Sequence, residues 1–219
     1  MKKLFHVLLI LIVCISNSGF TFFSDEKDSN FNIEDLYDYE KVFAYEEIEL
    51  CSSNATKSYM DYRATTVVSS RQYQFMHNHC TVDKTGFLLD EDNFIAVALG
   101  SYFGEIGERY YFTLDSGVVL PVVKAEEKAD VDTDARGCYH TIDSSVIEFV
   151  IDRNQAKEYF GEASNGLVLQ GNYNNYPLFS GNLVKVEKVL DEKNKDTVQY
   201  QNTEVYVKEN NKFNQTSGY

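Results

Sequence analysis

Short runs of apolar residues along the middle of the chain predict a mainly β protein. The runs are rich in Val, Ile, Tyr and Phe, and they read "FIAVALG", "RYYFTL", "VVLPVV", "SVIEFVID" and "NLVKVEKVL". These residue types suit a pleated, half-buried surface, and turn-forming residues separate the runs. Many short strands with glycine turns favour a compact barrel or a sandwich, and periodicity alone does not choose between the two.

Local signals predict one hairpin and one helix. The "DSG" at residues 115–117 is typical of a tight turn between two strands. Pro121 lies in the second of these strands, and we expect it at an edge or a bulge because it has no N–H to donate. From Arg153, the segment "RNQAKEYFG" has polar, helix-favouring residues and ends in Gly161. It therefore predicts one short helix with a glycine cap.

Alternation in "SVIEFVID" places Glu148 opposite the apolar face of its strand. One face carries Val146, Glu148, Val150 and Asp152, and the other carries Ser145, Ile147, Phe149 and Ile151. If the second face fills the core, Glu148 points outward into a groove. There a neighbouring carboxylate would help it to keep a proton, as a general acid must. An ordinary solvent-facing position of an amphipathic strand is the alternative.

The first residues are typical of an export signal. Lys2 and Lys3 precede an apolar run at residues 4–15, and small residues around Ser18 offer a cleavage site. The "FTFF" at residues 20–23 extends the apolar length toward the roughly 20 residues that a spanning helix needs. We therefore assign residues 1–24 to a signal peptide or a membrane anchor. In both cases the protein is extracytoplasmic, either secreted or anchored at the outer face of the cytoplasmic membrane.

Charge is concentrated ahead of the apolar runs. The net charge is −14, and residues 25–50 hold ten acidic and two basic residues with no Pro or Gly. Such a segment repels itself and predicts an acidic linker, extended or weakly helical. Lys and Arg form no stripe that could neutralise phosphates, so we expect no nucleic-acid partner. The polar composition of residues 191–219 predicts a tail, in which "TVQYQNTEVYV" could add a strand.

The cysteines outside the leader are odd in number. They are Cys51, Cys80 and Cys138, so at most one intramolecular disulfide forms and one thiol is left over. The sequence leaves the pairing open. It also leaves the oligomeric state open, with a monomer as the default expectation.

Three aspartates at alternate positions in "KADVDTD" raise the question of a metal site. Calcium loops begin in this way, but an EF-hand loop needs Gly at its sixth position and Glu at its twelfth. Counted from Asp130, those positions hold Ala135 and Thr141. We therefore predict no metal site and no cofactor.

The apolar runs and the acidic stretch together resemble a known family. The segment "FIAVALGSYFGEIGERYYFTLDSGVVLPVVKAEEKADVDTD", followed by "SVIEFVID", is similar to the double-psi β-barrel of bacterial cell-wall proteins. That branch includes rare lipoprotein A, the catalytic domain of membrane-bound lytic transglycosylase A and the three-aspartate domains of firmicute wall proteins. "SYMDYRATTVVSSRQYQF" and "LFSGNLVKVEKV" look like a group of exported firmicute proteins with this barrel. The resemblance implies a six-stranded double-psi β-barrel with one short helix, which we assign to residues 51–190.

The resemblance also implies an acidic catalytic site. Asp130 in "KAD" takes the place of the first family acid, and Asp134 lies where the loop continues toward the groove. Glu148 in "VIEFV" takes the place of the last acid, which does the proton chemistry in the lytic transglycosylase relatives. Here Glu replaces the family's Asp, and the Gly-Gly that follows it in the relatives is absent. The candidate catalytic residues are Asp130, Asp134 and Glu148.

Aromatic residues near these acids are candidates for substrate binding. A ring beside a groove can stack on a sugar face, and an imidazole can share protons or hydrogen bonds with carboxylates. We predict this role for Tyr62, Tyr102, Tyr139 and His140, with a buried ring or a plain surface histidine as the alternative. The expected partner is a peptidoglycan glycan strand, and the membrane is contacted only through the N-terminal segment.

Three functions are compatible with the sequence. The first is a cell-wall-associated protein that binds peptidoglycan glycan strands and cleaves them like a lytic transglycosylase. The second is a wall-binding or assembly module that has kept the groove without the chemistry. The third is a structural surface protein in which the barrel is only a scaffold, since function depends on the site and not on the fold.

Overall fold

The computed structural model describes residues 31–168 and 171–190. The predictions for residues 1–24 and 191–219 lie outside these ranges. Within them the prediction of a mainly β protein is confirmed, because nine strands form one mixed sheet. The strands are β1 Tyr45–Ile48, β2 Ser58–Asp61, β3 Cys80–Val82, β4 Leu88–Asp90, β5 Ile95–Leu99, β6 Arg109–Leu114, β7 Val119–Glu127, β8 Glu148–Ile151 and β9 Leu183–Val189.

The sheet combines antiparallel neighbours with two parallel pairs. Its main order is β1-β9-β6-β7-β5-β4-β3, and β8 branches from β5 to pair with β2. The parallel pairs are β5 with β7 and β2 with β8. The N–H of Leu183 at the start of β9 donates to the carbonyl of Asn54, ahead of β2, at 3.4 Å. The two ends of the path β2-β8-β5-β7-β6-β9 therefore come together.

The predicted hairpin and the predicted helix are both present. The hairpin turn joins β6 to β7 at residues 115–117, and Gly117 there has a φ of 90°. Pro121 pairs with Tyr111 of β6, whereas the pairing with β5 begins one residue later. The position of Pro121 tolerates proline, because a ladder position without a second partner needs no N–H.

The predicted helix runs from Arg153 to Phe160 and is called α2. The side chain of Asp152 caps its first N–H groups.

The prediction of only one helix is wrong. A second helix, α1, runs from Arg71 to His79 and precedes α2 in the chain. The Ser70 side chain caps α1 by accepting the N–H of Tyr73 at 3.2 Å. Only Met76 of α1 is buried, so the segment lacks the broad apolar stripe by which an amphipathic helix is recognised.

Apolar side chains fill both faces of the sheet. The inner core contains Phe87, Val97, Leu99, Phe112 and Phe149, and the outer layer contains Met76, Phe94, Ala96, Val123 and Val150. Successive residues of β8 alternate between the two, because side chains along a strand point to opposite faces. Both faces of the central strands are therefore packed, and a polar side chain on either face requires a local reason.

Residues 31–50 differ from the expected acidic linker. The turn Ile33–Asp38 buries Ile33 and Leu36 in the inner core, and β1 pairs antiparallel with β9. Glu187 of β9 is fully buried and forms ion pairs with Lys41 and Lys185. Sparse apolar residues at the right spacing anchor this stretch in spite of its charge, so it belongs to the packed domain.

Lys57 is a buried cation with a testable pH dependence. Its ammonium donates to the carbonyls of Ala55 at 2.9 Å and Gly181 at 2.8 Å. Burial lowers the pKa of Lys57 to about 8, and the charge of Asp115 opposes this. Between about pH 8 and the ordinary lysine value of about 10.4, the unfolded chain binds more protons than the folded chain, so stability rises with pH.

We therefore expect the stability of the wild type relative to Lys57→Met to increase by roughly 2 kcal/mol between about pH 7 and about pH 10. Urea denaturation at both pH values measures this difference, and the subtraction removes the contribution of the other titrating groups. A difference that stays constant with pH would contradict a lowered lysine pKa.

Candidate functional site

The predicted site residues lie in two neighbourhoods. The first is the acidic loop, residues 128–145, which follows β7 and carries Asp130, Asp134, Tyr139 and His140. Tyr102 lies beside it, because its N–H donates to the carbonyl of Gly137 at 3.0 Å. The second is the outer face of β8, which carries Glu148.

Asp134 organises the acidic loop. Its Oδ1 accepts the backbone N–H groups of Cys138 at 2.6 Å and Tyr139 at 3.1 Å. Burial acts to raise the pKa of Asp134, but these backbone hydrogen bonds and the nearby Arg136 outweigh it and lower the pKa. A carboxylate held charged in this way caps a turn and is a poor proton donor near neutral pH.

Asp130 is exposed and faces the turn Ser101–Phe103. Its Oδ1 accepts the Ser101 hydroxyl at 2.8 Å. The turn and the acidic loop approach closely, since a Cβ on Gly100 would lie 1.9 Å from the carbonyl oxygen of Gly137. Any side chain at Gly100 would therefore force the two segments apart and separate Asp130 from Ser101.

A disulfide fixes the acidic loop to the segment before β2. It joins Cys51 to Cys138, and Cys80 is free. Arg136 reinforces the link through an ion pair with Glu49 at 2.9 Å. The Tyr102 hydroxyl also donates to the carbonyl of Glu49, at 2.9 Å. The candidate binding residue Tyr102 is thus held by its hydroxyl, with its ring partly buried against the inner core.

Tyr139 and His140 lie at the far side of the same loop. Tyr139 packs part of its ring against the inner core. The Nδ1 of His140 lies 3.3 Å from Oδ1 of Asp143, within ion-pair distance but without the geometry of a hydrogen bond. Both side chains remain partly exposed.

Glu148 lies in a cross-strand row on the outer face. As the alternation predicts, Phe149 and Ile151 are in the inner core, and Glu148 is half-buried on the other face. In register with it are Ser58 of β2 on one side and Ala98 of β5 on the other. Both neighbours are small, so their side chains leave space around the carboxyl group.

Glu126, which the sequence reasoning did not select, completes this row. It is the partner of Ala98 on the opposite side from Glu148. The register of β5 and β7 shifts between Val97 and Ala98, where Lys124 and Glu126 are successive partners and Ala125 is the bulged residue. Without this bulge, strict alternation would turn Glu126 toward the inner core. The row Ser58–Glu148–Ala98–Glu126 is called the carboxylate row below.

The two carboxyl groups of the row have different surroundings. The Thr65 hydroxyl donates to Oε2 of Glu126 at 3.3 Å. Burial raises the pKa of Glu126; the Thr65 hydrogen bond opposes this, and the charges of Glu148 and Glu127 raise the pKa further. Glu148 has a cation near it, because it interacts electrostatically with the buried Lys128.

The structure thus separates the predicted acids. Among the described residues, Glu148 interacts with Glu126 and Lys128, whereas Asp130 contacts Ser101 and Asp134 contacts backbone N–H groups. Lys128 closes the acidic loop, since its ammonium donates to the carbonyl of Ser145 at the other end of the loop at 3.3 Å, and it also interacts electrostatically with Glu148. The signal for Glu126 in the sequence was its position in "EEKAD", at the end of a strand.

Tyr62 lies on the same outer face, with its ring centroid 5.8 Å from that of His77 in α1.

Two surface cavities, each of about 470 Å³, are lined by residues other than the predicted site residues. One is lined by Phe43, Phe75, Glu91, Asp92, Glu105, Ile106, Gly107, Glu108, Arg109, Val189 and Leu190, and the other by Asp61, Arg63, Ala64, Arg153 and Asn154. Neither of these two cavities includes the carboxylate row.

Within residues 31–168 and 171–190, no three His, Cys, Asp or Glu side chains are grouped so that they could hold a metal ion. The helices there are too short or too polar to cross a bilayer.

Comparison of the chain with protein-family models, curated proteins and solved structures finds no match in any of the three.

Proposed function

We propose that this chain is an exported, cell-wall-associated protein that binds peptidoglycan glycan strands and cleaves them at the carboxylate row. The observation that carries the proposal is the placement of Glu126 and Glu148 on either side of Ala98, on one face of the sheet. Two interstrand spacings separate their backbones by about 9.6 Å, and the side chains can reach toward each other over the small residue. Glycan cleavage usually relies on a pair of carboxyl groups.

The proposed fold is a six-stranded double-psi barrel. Its support is the path β2-β8-β5-β7-β6-β9, in which β5 lies between a parallel neighbour, β7, and an antiparallel neighbour, β8. A second parallel pair, β2 with β8, stands next to the first. The hydrogen bond from Leu183 to Asn54 at the ends of the path favours closure. Strands β1, β3 and β4 would then be additions at the barrel's rim.

The cysteines support the proposed location. Disulfides persist in oxidising compartments outside the cytoplasm. The Cys51–Cys138 bond joins the acidic loop, which carries candidate residues, to the segment before β2, so a reduced chain would hold the acidic loop less firmly. This agrees with the export signal proposed for residues 1–24.

The proposed chemistry needs one acid and one base. Cleavage of a glycosidic bond requires a proton for the leaving oxygen and a carboxylate that takes the proton of the attacking hydroxyl. The row offers both groups, with Thr65 as a hydrogen-bond donor beside them. The proposed contacts to the sugar rings are Tyr62, on the same outer face, and three residues around the acidic loop, namely Tyr102, Tyr139 and His140.

Binding without cleavage is the second candidate function. The observation that favours it is the commitment of Asp134 to the backbone of the acidic loop. One of the acids implied by the family resemblance is therefore occupied with holding structure. A protein of this kind would keep the sugar-contacting rings and pellet with the cell wall without releasing fragments.

Substitution of either glutamate tests the proposal. We expect Glu126→Gln and Glu148→Gln to reduce the release of muropeptides from purified sacculi by about 100- to 10,000-fold, the usual contribution of general acid–base groups. Pelleting of the full chain with sacculi should be unchanged, because both variants keep the shape of the row. Mass spectrometry of the soluble fraction measures release, and gel analysis of the pellet measures binding.

Two loop variants complete the design. Asp132→Asn removes an exposed carboxylate of the same loop and should behave as the wild type. Asp130→Asn distinguishes the row from the loop, because an activity lost in this variant and kept in Glu126→Gln would place the chemistry at Asp130. Pelleting without release in the wild type would establish the binding module instead.

A further inference from the structure

One of the two surface cavities is built around two arginines. It has a volume of about 470 Å³, and its lining consists of Asp61, Arg63, Ala64, Arg153 and Asn154. It is called the arginine cavity below. These residues come from the end of β2, the turn that follows it and the first turn of α2. In a chain with a net charge of −14, a lining with two guanidinium groups and one carboxylate is a local exception.

Arg63 is neutralised by carboxylates of the protein itself. Its guanidinium donates to the two carboxylate oxygens of Asp61 at 2.8 and 2.7 Å, and to Asp152 at 3.2 Å. The side-chain hydrogen bonds from Arg63 lower the pKa of Asp61, so this carboxylate is charged near neutral pH. Asp61 and Arg63 therefore form one fixed wall of the cavity.

Arg153 is the open cation of the cavity. Its Nε lies 3.8 Å from Oδ2 of Asp61, which is an ion pair too long for a hydrogen bond. Among residues 31–168 and 171–190, no acceptor receives a hydrogen bond from the Arg153 guanidinium, and the side chain is 47 % exposed. In the same part of the chain, the side-chain amide of Asn154 has no hydrogen-bond partner, although its backbone N–H is capped by Asp152. The cavity therefore offers a charged fork and an amide to a ligand.

A short segment connects the cavity to the carboxylate row. Strand β2 carries Ser58 of the row and ends at Asp61, which is about 10 Å further along the strand. The chain then follows the edge of the cavity and returns to the row at Thr65, whose hydroxyl donates to Oε2 of Glu126. A polymer that lies over the row can therefore reach the cavity with a side group.

Aromatic rings lie next to Arg63. The ring of Tyr62, one of the proposed sugar contacts, has its centroid 5.5 Å from the guanidinium carbon of Arg63 and 5.8 Å from the His77 ring. The Tyr73 ring lies 4.0 Å from that of His77. Rings beside a charged fork provide a surface for the face of a sugar next to a site for its charged substituent.

We propose that the arginine cavity binds a carboxylate carried by a muramic acid residue of the glycan strand. The inference rests on the proposed function and names the substituent that is recognised. Arg153 donates two parallel hydrogen bonds to the carboxylate, since a guanidinium matches a carboxylate in this way, and Asn154 donates a third. The carboxylate belongs to the lactyl group where no peptide is attached, and to the stem peptide where one is.

NMR of the nitrogen-15-labelled full chain tests the site. The reporter is the side-chain amide signal of Asn154, identified by its absence in Asn154→Ala. We expect N-acetylmuramic acid and N-acetylmuramoyl-L-alanyl-D-isoglutamine, which carry the two kinds of carboxylate, to shift this signal until it saturates. N-acetylglucosamine, which lacks the lactyl group, should not shift it at the same concentration.

Substitution of Arg153 should weaken this binding. Arg153→Gln should do so by about tenfold or more, the usual loss when a hydrogen bond to a charged group is removed. Arg153→Lys keeps the charge but not the fork and should lie between that variant and the wild type. Arg71→Gln is the matched control, because this exposed arginine pairs with Glu105 outside the cavity; binding should be unchanged. Equal midpoints of urea denaturation verify that the variants are folded.

The outcomes separate this site from the proposed function. An equal shift with N-acetylglucosamine, or unchanged binding in Arg153→Gln, would overturn the carboxylate site even if the chain releases muropeptides. Tighter binding of glycerol phosphate than of either muramic acid compound would also overturn it and indicate a phosphate-bearing polymer. The expected shifts in a chain that releases no muropeptides would support the site and contradict the proposed cleavage.

Discussion

Removal of the Cys51–Cys138 disulfide should destabilise the domain by roughly 4–5 kcal/mol. The two cysteines are 87 residues apart in sequence, and a cross-link that closes so long a loop strongly restricts the unfolded chain. In the folded chain it also fixes the acidic loop to the segment that carries Glu49. Urea denaturation of a Cys51→Ala/Cys138→Ala double variant, compared with the wild type under oxidising conditions, measures the loss.

Cys80 provides the matched control. It is free and partly buried, so Cys80→Ala removes a thiol without opening a cross-link and should cost about 1 kcal/mol or less. Addition of a reductant should lower the denaturation midpoint of the wild type and leave that of the double variant unchanged. Equal midpoints for the wild type and the double variant would show that the bond does not stabilise this domain.

Phe149→Ala should cost about 3–5 kcal/mol, the usual loss for a large aromatic side chain in a core. Phe149 is fully buried, and its ring centroid lies 5.0–5.2 Å from those of Phe87, Tyr173 and Phe179. Its neighbour Glu148 belongs to the carboxylate row, so the same packing that stabilises the fold fixes the direction of that carboxyl group. Loss of the ring should therefore reduce both stability and muropeptide release.

An exposed aromatic residue provides the control, because its removal changes the composition in a similar way without opening a cavity in the core. The Tyr37 side chain is 50 % exposed, and Tyr37→Ala should change the free energy of unfolding by less than about 1 kcal/mol. Both variants are compared by urea denaturation at the same pH. A similar small loss for the two would mean that the cluster around Phe149 contributes little to stability.

The sequence was sufficient to predict the strands that build the core. Apolar runs such as "FIAVALG" and "SVIEFVID" correspond to β5 and β8, because a strand that is buried on both faces requires a nearly continuous apolar run. The face on which Glu148 lies was also predictable, since alternation is a property of a single strand. The helix α2 was predictable from its capping glycine, Gly161.

Features that depend on the register between strands were not predictable. The bulge at Ala125 places Glu126 beside Ala98, and its position follows from the pairing of β5 with β7 and not from the sequence of β7 alone. The pairing of Cys51 with Cys138 has the same origin, because spacing along the chain does not report distance in the fold. The inner-core residues Ile33 and Leu36 lie in an acidic stretch. The composition of that stretch predicted a linker, so their burial was missed.

The initial rate of muropeptide release from sacculi by Glu148→Gln, relative to the wild type, shows whether the carboxylate row cleaves glycan strands. We expect measurable release by the wild type, and a rate at least about 100-fold lower for the variant, with unchanged pelleting and an unchanged denaturation midpoint. Release by Glu148→Gln at the wild-type rate would contradict the claim that the carboxylate row carries out the cleavage.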